Sequence, residues 1–500
     1  MNLKKGAINS ASLFGATLIG IFLTFVSRFY FIKNLGEQSL GLNSLFNSLL
    51  SAISITDAGL DTVLMFILFN PLKEKNIGET TQLFLYIRKL YRLIALFIMV
   101  LGLIMMIFLP RMLPTTEISG RIYVIYLLYL VNSVLSYAFA ENRVLLNANE
   151  ESVWVTLFTT MFNFVVLVGQ IIVLELFASF ELYQLVQLLG TVLLGISLKM
   201  FVSRHFDFQP NTSAQISSTT KRILIKNAAG GISNRIGSFA VNGSDSLLLS
   251  IFTNLVVVAQ YANYMMLVNA VNLLATKTIS ALTPTIGISF EAQSSEQKYL
   301  SFERLNSAVY MLGSLVFTGF LFNANWVILK WLGKNLTLSS LVVYLIALNL
   351  MFRISRLGSL NYIDALGLQW NQRFKPLFEA GVNVVMAVVL LLNGWGIIGI
   401  LMGTIISNIT TVLWMEPRYV FKGGVPFKPE FISKILIYIF VNLIVTGVYF
   451  WSRNFGDSFV TNVGLTLGTY LVIISVAVIF DNNIKYWLTN ILARLRRGRV

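Results

Sequence analysis

Residues 7–32 read AINSASLFGATLIGIFLTFVSRFYFI, an apolar run whose single charged side chain is Arg28. A helix rises about 1.5 Å per residue, so about 20 apolar residues cross a hydrocarbon core of about 30 Å. The run is long enough to span and is not followed by a small-residue cleavage site, so it is expected to stay in the protein as the first membrane helix. Working outward with the same ruler predicts fourteen spans, at about 7–32, 39–69, 91–109, 121–147, 152–177, 182–203, 223–250, 257–289, 305–323, 337–358, 375–393, 396–415, 432–451 and 459–480. The predicted fold class is an all-α membrane protein of about 14 transmembrane helices.

Composition agrees. The 500 residues are 56% hydrophobic and 12% charged, with a mean hydropathy of +0.75, beyond what a water-soluble core requires. The net charge of +15 is spread over many short loops between apolar runs. It therefore reads as a device for membrane orientation and not as a nucleic-acid surface. With the N-terminus placed in the cytoplasm, Lys73, Lys75, Arg88, Lys89, Lys221, Arg222, Arg418, Lys422, Lys428 and the tail arginines all fall inside, which predicts cytoplasmic N- and C-termini. Without cysteine and with one histidine, His205 in a polar loop, thiolate and imidazole metal sites lack ligands, so neither a metal nor a cofactor is expected.

Proline lacks a backbone donor and clashes with the preceding turn. Pro71, Pro110, Pro114, Pro210, Pro376, Pro417, Pro426 and Pro429 are read as loop or helix-start residues, and Pro284 alone as an interruption, kinking the eighth span. Spans 7–32 and 39–69, joined by NLGEQS (34–39), parallel spans 223–250 and 257–289, joined by FTNLV (252–256). Each pair opens a six-helix set, a plan that places two lobes around a central cavity. The expected organisation is an N-terminal lobe (1–204), a cytoplasmic linker (205–222), a C-terminal lobe (223–416), two extra helices (417–480) and a basic amphipathic tail (481–500). In that tail Ile484, Trp487, Leu488, Ile491, Leu492 and Leu495 recur at helical spacing beside Arg494, Arg496, Arg497 and Arg499, which suits anionic membrane lipids. The alternative is a basic tail that only fixes orientation.

Charges within spans are costly and so become functional candidates. Arg28, Arg235 and Lys277 lie on the first pair of helices of each half. A cationic cavity suits anionic cargo, because a guanidinium holds two phosphate oxygens at once and stays charged. Pairing with Asp57, Asp61 or Asp245 is the competing role for the arginines, and snorkelling to the interface for Lys277. Asp57 and Asp61 share a helix face, where their repulsion invites a cation, a proton or a basic partner; with Asp245 they are candidates for gating or ion coupling. Asn43, Asn47, Asn234, Asn269 and Asn272 can bond sugar hydroxyls, as they can bond neighbouring helices. Arg353 and Arg356 read as interfacial, and Glu141, Glu175 and Glu379 as near enough to span ends to reach water. Gly36, Gly41, Gly230, Gly231 and Gly237 are hinge candidates, with close helix packing the alternative.

No nucleotide-binding G-x-x-x-x-G-K-[ST] run occurs, and the predicted external loops are short, which favours transport over enzymology. The stretch NLGEQSLGLNSLFNSLLS (34–51), continuing through DAGLD (57–61), NPLK (70–73) and RKLYR (88–92), resembles the N-terminal signature of Wzx-type polysaccharide repeat-unit flippases. FKPLFEAGVN (374–383) and GILMGTIIS (399–407) look like the late signature of the same family. The resemblance implies the multidrug/oligosaccharidyl-lipid/polysaccharide (MOP) exporter superfamily, alternating access, a bacterial cytoplasmic membrane and an undecaprenyl-diphosphate-linked oligosaccharide as cargo. It also implies polysaccharide polymerase and chain-length proteins as partners, and cationic cavity residues on the first and seventh helices that map onto Arg28 and Arg235. The alternatives are a cation-coupled drug exporter or a peptidoglycan-precursor flippase of the same superfamily, or a membrane glycosyltransferase or polymerase.

Overall fold

The computed structural model describes residues 3–53, 60–113, 120–209, 243–452, 458–487 and 489, and these form helices and connecting turns with no strand among them. Among the described residues, twelve helices are long and apolar enough to cross a membrane. The first, Leu3–Ile53 (α1), contains the predicted span 7–32 and the first part of the predicted span 39–69, with Gly36 (φ 79°, ψ −179°) breaking it between them. The predicted span 223–250 lies outside the described residues except for its last turns. The chain is a multi-pass, all-α membrane protein, divided into two compact units, 1–259 and 260–500.

In the first unit α1 is followed by α2 (Leu60–Lys73), α3 (Ile77–Met112), α4 (Gly120–Ala138), α5 (Ala140–Ala148), α6 (Ser152–Phe177), α7 (Phe180–His205) and α8 (Asp245–Phe252). Helix α1 packs on α6, α6 on α7, and α4 on both α3 and α7. Aromatic rings fill the seam: Phe31 meets Phe180 at 5.1 Å and Tyr183 at 4.9 Å, and Phe46 meets Tyr126 at 5.4 Å. Edge-on geometry at such distances adds roughly 0.5–1.5 kcal/mol per pair beyond burial. Gly41 packs against the chain at Leu255, whose carbonyl oxygen would lie 2.1 Å from any added Cβ. There the packing role of a glycine is the one realised.

The second unit takes in the rest of α9 (Leu255–Ser280), then α10 (Thr283–Phe290), α11 (Ser295–Leu332), α12 (Ser340–Ser355), α13 (Leu357–Ala365), α14 (Lys375–Leu392), α15 (Gly396–Ser407), α16 (Leu413–Lys422), α17 (Glu430–Ser452) and α18 (Phe459–Phe480). The break between α9 and α10 falls where Pro284 predicts it, with the proline in the first turn of α10. Helix α11 is the hub: α12, α17 and α18 all pack on it. Asn442 on α17 donates to Ser314 (2.8 Å), and Asn323 donates to Thr466 on α18 (2.9 Å), so the two extra helices are fastened to α11 by polar bonds inside apolar surface.

Several boundaries differ from the sequence reading for one reason: an apolar-run search finds the hydrocarbon and not the helix. Helix α3 begins well before the predicted run at 91 because Asn76 caps it by accepting from the Glu79 amide, and the added turns carry Arg88 and Lys89. Its 36 residues make about 54 Å, more than a hydrocarbon core needs. Helix α11 is likewise extended by a capping box between Ser294 and Gln297. Pro71, Pro110 and Pro417 lie inside helices and not in loops. The first two sit in final turns; Pro417 follows a π-turn at 408–412, a wider turn that re-registers the backbone just ahead of the proline. Large apolar side chains remain exposed along the outer helices, among them Ile107 (74%), Leu176 (70%) and Val460 (78%), as a lipid-facing surface requires.

Candidate functional site

Three helices of the first unit converge on a cavity of about 260 Å³. Before its break at Gly36, α1 contributes Thr24, Ser27, Arg28 and Phe31, spaced so that they share one face. After the break it contributes Asn43 and Asn47, again one turn apart. Helix α4 adds Tyr129 and Asn132, and α7 adds Tyr183, Gln184 and Gln187. The break at Gly36 thus lets one helix furnish two walls.

Hydrogen bonds fix the polar lining. Tyr129 donates to Asn43 Oδ1 (2.7 Å), the same oxygen accepts from Asn47 Nδ2 (2.6 Å), and the Ser27 and Tyr183 hydroxyls lie 3.1 Å apart. Gln187 accepts from Gln170 at 3.2 Å. Two groups are left over: Arg28 Nη1 and Asn132 Oδ1 are buried without a hydrogen-bond partner. Among the described residues no carboxylate lines the cavity and Arg28 makes no ion pair. A guanidinium removed from water without an anion is expensive unless water or a ligand compensates it. The arrangement can therefore bind an anion through Arg28 and hydroxyl groups through the amides and tyrosines.

The structure brings together Arg28, Asn43 and Asn47 as the sequence predicts. Arg235, Asn234 and Asp57 lie outside the described residues, as do Gly230, Gly231 and Gly237. Lys277 is exposed in the last turn of α9 in the second unit. Asp61 opens α2 and accepts a hydrogen bond from Tyr91. Asp245 is buried at the start of α8, where the helix dipole favours a carboxylate. The sequence reading missed Tyr129, Asn132, Tyr183, Gln184 and Gln187. Their available signal was polar side chains recurring one turn apart inside otherwise apolar runs.

A second correction concerns Arg356 and Glu379, which the sequence places at the interface. They belong to a buried network of two cations and two anions in the second unit. Arg356 pairs with Glu379 (3.2 Å) and with Glu416, while Lys375 pairs with Glu379 (2.7 Å) and Glu416 (2.5 Å). Lys375 and Glu416 have side chains 3% and 1% exposed. Arg356 caps α12 where α13 begins, so protein and not headgroups surrounds what hydropathy reads as a span end. Glu141, also placed near water, is buried and lies 3.4 Å from Arg88.

These features define a polytopic all-α membrane protein, and its fold is similar to that of solved transporters. No protein-family model and no curated protein sequence matches the chain. Among solved structures it is similar to "Lipid II flippase MurJ, inward closed conformation", with a TM-score of 0.68 at 14% identity over 94% of this chain and 99% of that one. It is also similar to an inward-facing multidrug resistance MATE family transporter of the MOP superfamily (TM-score 0.60, 12% identity, 82% of this chain and 96% of that one). A third is a MOP superfamily transporter from Pyrococcus furiosus described as having a binding pocket of reverse polarity (TM-score 0.54, 14% identity, 83% and 96%).

Proposed function

We propose that this protein is a flippase that moves undecaprenyl-diphosphate-linked oligosaccharide repeat units across the bacterial cytoplasmic membrane by alternating access, for cell-surface polysaccharide synthesis. One observation carries the reading: a buried guanidinium without a carboxylate partner among the described residues, set in a cavity whose other polar lining is amides and hydroxyls. A diphosphate supplies the missing anion, and sugar hydroxyls match the amide and phenol groups around it. Residues 1–204 and 223–416 are the lobes that rock, 205–222 the linker between them, Arg235 the counterpart of Arg28 in the second lobe, and Asn234 a ligand for sugar hydroxyls. Asp57, Asp61 and Asp245 are the groups assigned to gating or ion coupling, and Lys277 to substrate binding. Polymerase and chain-length proteins are the partners that receive the cargo.

Two readings within the superfamily compete. A peptidoglycan-precursor flippase is favoured by the likeness to MurJ and needs the same anion chemistry. A drug exporter is favoured by the likeness to the MATE transporter, but an unpaired arginine repels cationic drugs. Mass spectrometry of lipids that copurify with the protein separates them. A prenyl diphosphate bearing a repeat-unit glycan is expected; a muramyl pentapeptide would mark the precursor flippase, and no phosphorylated prenyl lipid at all would reject both flippase readings.

A further inference from the structure

A different cavity, in the second unit, has no part in that reading. It encloses about 400 Å³ between α10, the early turns of α11 and the helical segment 482–487 that begins the tail. That volume lies within the roughly 300–1,000 Å³ usual for small-molecule sites. Among the described residues its only charged lining residue is Arg304, whose guanidinium stacks on Tyr486 at 4.1 Å and whose Nε is buried without a hydrogen-bond partner. The neighbouring carboxylate does not neutralise it: Glu303 is buried and engaged by Tyr299 (3.1 Å) and Asn483 (3.0 Å). Ser289 and Ser301 add hydroxyls to the same wall.

The tail wall is held in place. Asp481 pairs with Lys434 at 3.2 Å, and Ile484 is 1% exposed in a cluster with Tyr438 and Ala477. The rim is greasy: Leu282 and Trp487, both lining the cavity, are 42% and 46% exposed. A guanidinium with hydroxyls at its base and apolar side chains at its mouth fits a phosphate attached to acyl chains better than a free ion.

We propose that this cavity is a binding site for the phosphate headgroup of an anionic membrane lipid, with Arg304 as its anion ligand and the start of the tail as one wall. A bound lipid would then tie the tail to α10 and α11 and stabilise that face by mass action. The proposal is independent of the cargo and of Arg28.

The test is native mass spectrometry of the full-length protein titrated with phosphatidylglycerol or with phosphatidylcholine, for the wild type, Arg304→Gln and the cavity-filling Ser301→Trp, which keeps the charge. The wild type is expected to hold one phosphatidylglycerol at least about tenfold more tightly than phosphatidylcholine, equivalent to about 1.4 kcal/mol. Both variants should lose that preference, and millimolar inorganic phosphate should not displace the lipid. Equal retention of the two lipids by the wild type, or an unchanged preference in a folded Arg304→Gln or Ser301→Trp protein, overturns the site. Displacement by inorganic phosphate overturns the lipid and assigns the site to a soluble anion.

Discussion

An arginine keeps its proton in almost any protein environment, so its neighbours must be arranged around a permanent charge. At Arg28 they are arranged without an anion; at Arg356 they supply two. The first arrangement leaves a place for a ligand, whereas the second closes on itself. Lysine at position 28 keeps the charge but loses the fork, so Arg28→Lys should retain part of the cargo affinity that Arg28→Ala loses. With charge-assisted hydrogen bonds worth about 1.5–3 kcal/mol, the alanine loss is roughly 10- to 150-fold in a binding titration. At the closed network, Lys375→Met leaves Arg356 alone against two buried carboxylates, so that one negative charge is stranded, and should destabilise by about 3–5 kcal/mol, read as a fall in thermal midpoint in detergent. Adding Glu379→Gln to Lys375→Met should recover part of that loss, because one stranded charge goes with it; a double variant less stable than the single would contradict the pairing.

Among the elements, α1 bears most on the site. Its break places Arg28 and Asn43 on the same cavity, and Gly36 adopts a backbone conformation in which a side chain costs of order 1–3 kcal/mol. Gly36→Ala should therefore lower stability by that order and disturb cargo binding together, although residue 36 does not line the cavity. Helix α17 predicts the opposite: the Asn442 bond to Ser314 sits in an apolar seam, and such bonds average only about 0.6 kcal/mol. Asn442→Leu should shift the thermal midpoint little, and a large fall would mean the bond is worth more than its class. Elements bounded by turns were legible in the sequence: α6, α14 and α18 lie where the apolar runs put them. The ends of α3 and α11 were not, because capping extends a helix into water without any hydropathy signal. Nor was the network around Arg356, since hydropathy measures distance from the lipid and says nothing about burial within protein. Of the cavity, the charge and the asparagines of α1 were visible; Asn132 and Gln184 needed the packing of α4 and α7 to reveal their direction.

For the whole molecule, solved structures at 12–14% identity support the architecture and leave the cargo to be argued from side chains. A shared fold is compatible with lipid-linked cargo and with drugs, and what separates them chemically is the sign of charge inside the lobes. The most direct measurement is translocation of a prenyl-diphosphate-linked oligosaccharide in proteoliposomes, comparing wild type, Arg28→Ala and Arg28→Lys at equal, folded insertion. An anion-binding role for Arg28 predicts flux in the wild type, a loss of at least about tenfold in Arg28→Ala, and an intermediate rate in Arg28→Lys. Wild-type flux in Arg28→Ala would contradict it.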